Sequence, residues 1–153
     1  MSKTKFQIRR ANSKDINALE CMEMKSFNSH QFNKKQFRYY LSQDNCICYV
    51  TYSKEIFGYI LGIIDRRGKK KKARLYSLAV LPNYRKRGYA TLLLKQFEKE
   101  VLKKNCGLVT LEVKEKNKEA FKLYLREGYK YVDPIKDYYG KNQDGLNMHK
   151  LLK

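Results

Sequence analysis

The residues best suited to chemistry lie where a strand ends, a short basic turn follows and a long helix begins. This junction runs from Leu78 through Arg85 to Ala90. The first backbone N–H groups of a helix have no partner within the helix and lie at the positive end of its dipole. Gly88 and Ala90 are small enough to let an anion approach the backbone. The junction therefore predicts a phosphate-binding site, and an ordinary helix start with solvated cations is the alternative.

Two residues downstream could move protons. Glu112 is the one acid in an otherwise apolar strand, 108–113, where burial would raise its pKa and make it a better base. Tyr124 lies on the next helix, and a phenol with a pKa of about 10 can donate a proton without ionising at neutral pH. Asn117 precedes Tyr124 by two helical turns and is expected on the same face. The alternatives are a solvated carboxylate at a strand end and a core tyrosine.

These segments together resemble a known family. The run YRKRGYA at 84–90, after the strand residues 77–80, resembles the acetyl-CoA signature Arg/Gln-x-x-Gly-x-Gly/Ala of the GCN5-related N-acetyltransferases. The stretch 111–120 with Tyr124 is similar to the second half of that family's site. Together with 138–148, it looks most like the protein N-terminal acetyltransferases of the RimI and archaeal Ard1 type.

The resemblance implies acetyl-CoA as co-substrate, without a metal. It implies that backbone groups of Leu78 and Val80 pair with the pantetheine as an added strand would, and that N–H groups from Lys86 to Thr91 hold the pyrophosphate. The cofactor-binding residues that it implies are Leu78, Ala79, Val80, Arg85, Lys86, Arg87, Gly88, Tyr89, Ala90, Thr91 and Asn117.

The resemblance also implies the catalytic and acceptor residues. Glu112 would accept a proton from the incoming amine, directly or through a water, and Tyr124 would protonate the departing thiolate. Tyr138 and Tyr139, in the loop before the last strand, would bind the backbone of the acceptor peptide. Phe27, on the facing loop, would line the pocket for the side chain of the acceptor's first residue. An α-amine titrates at about 7.7–8.0 and a lysine at about 10.4. The expected acceptor is therefore a protein N-terminus, with ribosomal proteins among the candidates.

Two other functions stay open at this point. One keeps the acetyl transfer but changes the acceptor to a polyamine or another small amine. Such an acceptor needs acidic residues in its groove, and the chain is poor in acids. The other is a non-catalytic basic module that binds RNA or ribosomes. The presence of Glu112, Asn117 and Tyr124 argues against this second function.

The sequence pattern predicts the elements that position these residues. Runs rich in β-branched and aromatic residues predict a hairpin of strands at 46–52 and 56–64, with a third strand at 75–81. Apolar residues at helical spacing from Gly88 to Val101 predict a long amphipathic helix. Further predicted elements are strands at 5–9, 108–113, 129–132 and 146–151, helices near 12–22, 33–42 and 117–126, and a loop containing Asp133-Pro134.

This order, β-α-α-β-β-β-α-β-α-β-β, predicts one N-acetyltransferase domain over residues 1–153. The fold class is α/β (α+β), with a mixed sheet of about seven strands and about four helices.

Composition limits the remaining functions. The 34 Lys and Arg against 15 Asp and Glu give a net charge of +19, and such a charge attracts polyanions. Nucleic-acid binding therefore stays open on charge alone. The alternative is that the charge is only a compositional bias of the sequence. Four cysteines without a C-x-x-C pair and two histidines do not form a zinc-type spacing. Without a membrane-spanning run or a signal peptide, we expect a soluble cytoplasmic protein that has no membrane partner.

Overall fold

The chain folds into one mixed sheet with helices on both faces. The computed structural model describes residues 5–26, 32–68 and 70–152. In this part of the chain the strands are β1 (Gln7–Arg10), β2 (Cys46–Tyr52), β3 (Ile56–Asp65), β4 (Lys72–Val80), β5 (Leu108–Lys114), β6 (Lys130–Ile135) and β7 (Gly145–Leu151). The α-helices are α1 (Ile16–Ser26), α2 (Lys34–Leu41), α3 (Tyr89–Lys103) and α4 (Lys118–Arg126).

The strand order places the parallel pair in the middle of the sheet. The order is β1-β2-β3-β4-β5-β7-β6, and β4 with β5 is the parallel neighbour pair while the others are antiparallel. The β4–β5 pairing is short, joining Ala73–Leu75 to Val109–Leu111. Directly after it, Tyr76 is an extra residue in the β3–β4 register. Because such a bulge bends its strand and increases the local twist, the pairing of β4 with β5 ends there.

Alternate residues of the strands belong to two hydrophobic cores, one on each face of the sheet. Leu75 and Val80 of β4 join a core with α3, α4 and β5, in which Phe97 and Val109 are fully buried. Ala79 belongs to a second core beneath α1 and α2. Since neighbouring side chains of a strand point to opposite faces, β4 borders both cores along its length.

The structure confirms the predicted fold class, the seven strands and the four α-helices within the described residues. Several boundaries differ from the prediction by a few residues, and two of these differences change how a segment is assigned. Strand β4 starts at Lys72, so the end of the basic run 69–72 belongs to it. Asp133 and Pro134, predicted in a loop, lie in β6. A proline is tolerated there because β6 is an edge strand, where one side needs no hydrogen-bond donor.

None of the helices in the described ranges is long and apolar enough to cross a membrane.

Candidate active site

A cleft of about 610 Å³ opens between the second half of β4, the start of α3 and the length of α4. Its lining includes ten of the eleven predicted cofactor residues and Tyr124. Arg87 is the exception, and its guanidinium carbon lies 6.0 Å from the centre of the Tyr84 ring. Residues far apart in the sequence thus converge on one site.

The backbone of β4 is open toward this cleft. The N–H of Leu81 donates to the Phe57 carbonyl at 2.8 Å, so by strand alternation the groups of Leu78 and Val80 point away from β3. On that side the registered pairing with β5 ends at Leu75. The Val80 carbonyl accepts a hydrogen bond from Arg85 Nε at 2.9 Å. Both polar groups of Leu78 and the N–H of Val80 therefore remain available to an extended, amide-containing ligand.

The start of α3 lacks the cap that other helices in this chain have. Asn33 caps α2 with its side chain, and Asn117 caps α4. Helix α3 instead follows Gly88, which has a φ of +85° and supplies no side-chain hydrogen bond. Its first N–H groups thus need an acceptor from elsewhere. A Cβ built at Gly88 meets nothing within 4 Å, so the space in front of these donors is open to an anion.

Asn117 holds the helix that carries Tyr124. Its side-chain oxygen accepts a hydrogen bond from the Ala120 N–H at 3.1 Å, which makes it the N-cap of α4 rather than a residue within the helix. It also lines the cleft. Asn117 thus both stabilises the start of α4 and lines the cleft.

Tyr124 lies at the inner end of the cleft. Its side chain is 8% exposed and its ring packs edge-on against Tyr129. Burial raises the pKa of Tyr124 well above its usual value. The phenol therefore stays protonated at any physiological pH, as a proton donor must.

Glu112 lies on the opposite face of the sheet and is paired. Its Oε1 accepts a hydrogen bond from Arg74 Nη2 at 3.3 Å. Glu112 is the one acid of its strand, as the sequence shows, but it has a charged partner on β4 that the sequence analysis did not anticipate. The sequence analysis did not predict the contact between Arg74 and Glu112, because the two residues lie 38 positions apart. Only the pairing of β4 with β5 brings them together.

Tyr138 and Tyr139 lie in the loop between β6 and β7, which is held by its own hydrogen bonds. The Asp137 N–H donates to Asp144 at 2.9 Å, and the Tyr139 N–H donates to the Gln143 carbonyl at 3.0 Å. Burial raises the pKa of Tyr139, and the nearby Glu112 carboxylate raises it further. Tyr139 therefore lies near Glu112.

We name the surface around Glu112, Arg74, Tyr138 and Tyr139 the acceptor groove. Phe27, predicted to wall it, lies outside the described residues. The groove lies next to the point where β4 and β5 separate, because Glu112 directly follows Leu111, the last residue of β5 in registered pairing with β4. In the described ranges, no cluster of three His, Cys, Asp or Glu side chains could hold a metal ion.

Comparison with known proteins identifies the family. The model of the acetyltransferase (GNAT) family matches residues 14–129. The chain belongs to this family. It is an acyltransferase, as the sequence predicts.

GNAT relatives and structures resemble the chain over most of its length. An uncharacterised N-acetyltransferase of Methanocaldococcus jannaschii is 31% identical over 144 residues, covering 94% of this chain and 90% of that protein. The catalytic subunit of the Arabidopsis thaliana N-terminal acetyltransferase A complex is 30% identical over 150 residues, covering 95% and 78%. The crystal structure of Arabidopsis thaliana NAA60 in complex with acetyl-CoA matches with a TM-score of 0.86 at 20% identity, covering 96% and 98%. That structure shows a shared fold.

The structure also adds cleft residues that the sequence analysis missed. Lys122 and Arg126 of α4 line the cleft. Their spacing of four residues, on the helix that carries Tyr124, is the signal that could have revealed them, since positions four apart lie on one helical face. They bring two positive charges to a cleft that already contains Lys86.

We expect Gly88→Val to weaken the binding of coenzyme A by roughly 10- to 100-fold, the equivalent of about one hydrogen bond to a charged group. The added methyl groups would enter the open space before the uncapped N–H groups of α3. Isothermal titration calorimetry measures the affinity.

Gly68→Val is the matched control for this substitution. Gly68 has a φ of +90° and also meets nothing within 4 Å, so valine suffers the same backbone strain there, in the β3–β4 loop. Equal losses of affinity in both variants would show that the effect is strain and not blocked access.

Proposed function

We propose that this GNAT enzyme transfers the acetyl group of acetyl-CoA to the α-amine of protein N-termini. The observation that carries the proposal is the convergence of the open β4 backbone, the uncapped start of α3 and Tyr124 on one cleft. Glu112, the candidate proton acceptor, follows Leu111, at which the registered pairing of β4 with β5 ends.

The cleft fits acetyl-CoA. The pantetheine would pair with the free backbone groups of Leu78 and Val80, and the pyrophosphate would accept hydrogen bonds from the uncapped start of α3. Lys86, Lys122 and Arg126 would balance the phosphate charges. When bound, acetyl-CoA supplies the activated acetyl group.

Glu112 and Tyr124 divide the proton transfers. An α-ammonium must lose a proton before its nitrogen can attack, and Glu112 is the carboxylate of the acceptor groove that can accept it. The departing sulfur needs a proton, which the buried Tyr124 hydroxyl can donate. Since burial raises the pKa of Tyr124, this donor does not ionise at the pH where the amine becomes neutral.

The acceptor groove suits a peptide better than a polyamine. Tyr138 and Tyr139 offer aromatic faces and hydroxyls to a peptide backbone, whereas Arg74 and Lys114 bring positive charge, the Lys114 nitrogen lying 5.4 Å from the Tyr139 ring centre. A polyamine would meet these cations with Glu112 as the facing carboxylate. The electrostatics therefore disfavour the small-amine alternative.

We expect Tyr124→Phe to lower kcat by about 10²–10⁴-fold, the usual contribution of general acid catalysis, with little change in the affinity for coenzyme A. Steady-state kinetics and calorimetry measure the two effects. Tyr131→Phe is the control, because Tyr131 is an exposed tyrosine of β6. A Tyr124→Phe enzyme as active as the Tyr131→Phe enzyme would remove Tyr124 from the mechanism.

For Glu112→Gln we expect a deficit in kcat/KM that shrinks as the pH rises from 6.5 to 9. Above about pH 8 the acceptor α-amine is mostly neutral without help, so the missing base matters less. The exposed Glu115, three positions later, provides the control variant Glu115→Gln. A deficit that is constant across this pH range would contradict a role of Glu112 as proton acceptor.

The acceptor itself is tested with a peptide that has a free N-terminus and one internal lysine. We expect mass spectrometry to find acetate on the α-amine, because this amine is partly neutral near pH 7.5 whereas lysine is charged. The same peptide with a blocked N-terminus is the control. Acetate found mainly on lysine, or faster transfer to spermidine than to any peptide, would overturn the proposal.

A further inference from the structure

Arg74 is a positively charged side chain beside the candidate base. It lies on β4 opposite Thr110 of β5, just before the two strands separate. Its guanidinium carbon is 5.5 Å from the ring centre of Tyr76, and Nη2 donates to Glu112 at 3.3 Å. The side chain is 26% exposed, so a ligand in the acceptor groove can reach it.

The charge of Arg74 extends across the groove. Burial raises the pKa of Tyr40, Tyr76 and Tyr138, and the Arg74 charge opposes that rise in all three. These tyrosines belong to α2, to β4 and to the β6–β7 loop. Arg74 therefore lies near residues of all three elements.

Arg74 has hydrogen-bonding capacity left after its contact with Glu112. A guanidinium has five N–H donors in a planar fork, and the bond to Glu112 uses one of them at the long end of the normal range. The second cation, Lys114, lies near Tyr139 on the same side. Asp65 and Arg67 also act on Tyr76, but they pair with each other at 3.2 Å. Arg74 and Lys114 thus bring two positive charges to the side of the sheet on which Glu112 lies.

We infer that Arg74 is a specificity residue that binds the side-chain carboxylate of an acceptor whose first residue is Asp or Glu. This inference rests on the proposed function. The α-ammonium would contact Glu112 while the carboxylate of the same residue contacts Arg74, so that opposite charges alternate around the reacting amine. Because Arg74 is hydrogen-bonded to Glu112, the two acceptor charges must also be close together, as they are within one acidic residue.

The test is a set of peptides that differ only in the first residue, with Asp compared with Asn and Glu with Gln. For the parent enzyme we expect kcat/KM to favour the acidic member of each pair by roughly 10- to 100-fold, the usual range for a charge-assisted hydrogen bond. The measured quantity is the ratio of kcat/KM between the acidic peptide and its amide counterpart. A substitution that changes Glu112 in general affects both peptides equally, so this effect cancels in the ratio.

Arg74→Gln should bring the ratio close to one, and Arg74→Lys should restore part of it, since lysine keeps the charge without the fork. Arg67→Gln is the control for a long-range field, because the exposed Arg67 also acts on Tyr76, and its ratio should match that of the parent. A parent ratio near one, an unchanged ratio in Arg74→Gln, or an equal loss in Arg67→Gln would overturn the inference. An enzyme that acetylates no peptide N-terminus would instead overturn the proposed function.

Discussion

The separation of β4 from β5 after Leu75 is the constraint on which the rest of the site depends. The two strands pair over three registered positions, and the bulge at Tyr76 then turns β4 away. Backbone groups that lose a strand partner must find water or a ligand, because leaving them buried and unpaired is costly. A parallel pair that continued would consume the donors of Leu78 and Val80 and close the passage between the two faces of the sheet.

The two sides of that opening are built differently. On the side of α3 and α4, the site is made mostly of backbone: free strand groups, an uncapped helix and a glycine. On the side of α1 and α2, it is made of side chains, with a carboxylate, two cations and several tyrosines. A cofactor of constant structure suits the first kind of surface, and acceptors that differ in sequence suit the second.

The buried carboxylate of Glu23 stabilises the packing of α1 against the sheet, on the face that has the acceptor groove. Glu23 of α1 is 2% exposed and accepts hydrogen bonds from the Tyr59 hydroxyl, from Ser77 at 2.8 Å and from the Phe32 N–H at 3.1 Å. Burial raises the pKa of Glu23, against the effect of its hydrogen bonds. These bonds connect α1 with β3, with β4 and with the chain entering α2. Helix α1 is therefore tied to the strand whose backbone borders the cleft.

Local sequence signals predicted the elements and most of the residues that line the cleft. The strand at 46–52 matches β2 in both limits, and the Gly88 junction lies at the start of α3, because these features depend on neighbouring residues. The pairing of Arg74 with Glu112 was not predictable in this way, since it depends on the register of distant strands. Asn117 was predicted beside the cofactor, but its capping role depends on where α4 begins.

The missing cap of α3 links the stability of the protein to its surroundings. A helix start whose N–H groups have no acceptor frays more easily than one that is capped by an asparagine side chain. By mass action, whatever phosphorylated molecule occupies that end stabilises the folded chain in proportion to the logarithm of its concentration. The open helix start that admits an anion thus also makes the folded chain more stable when an anion is bound there.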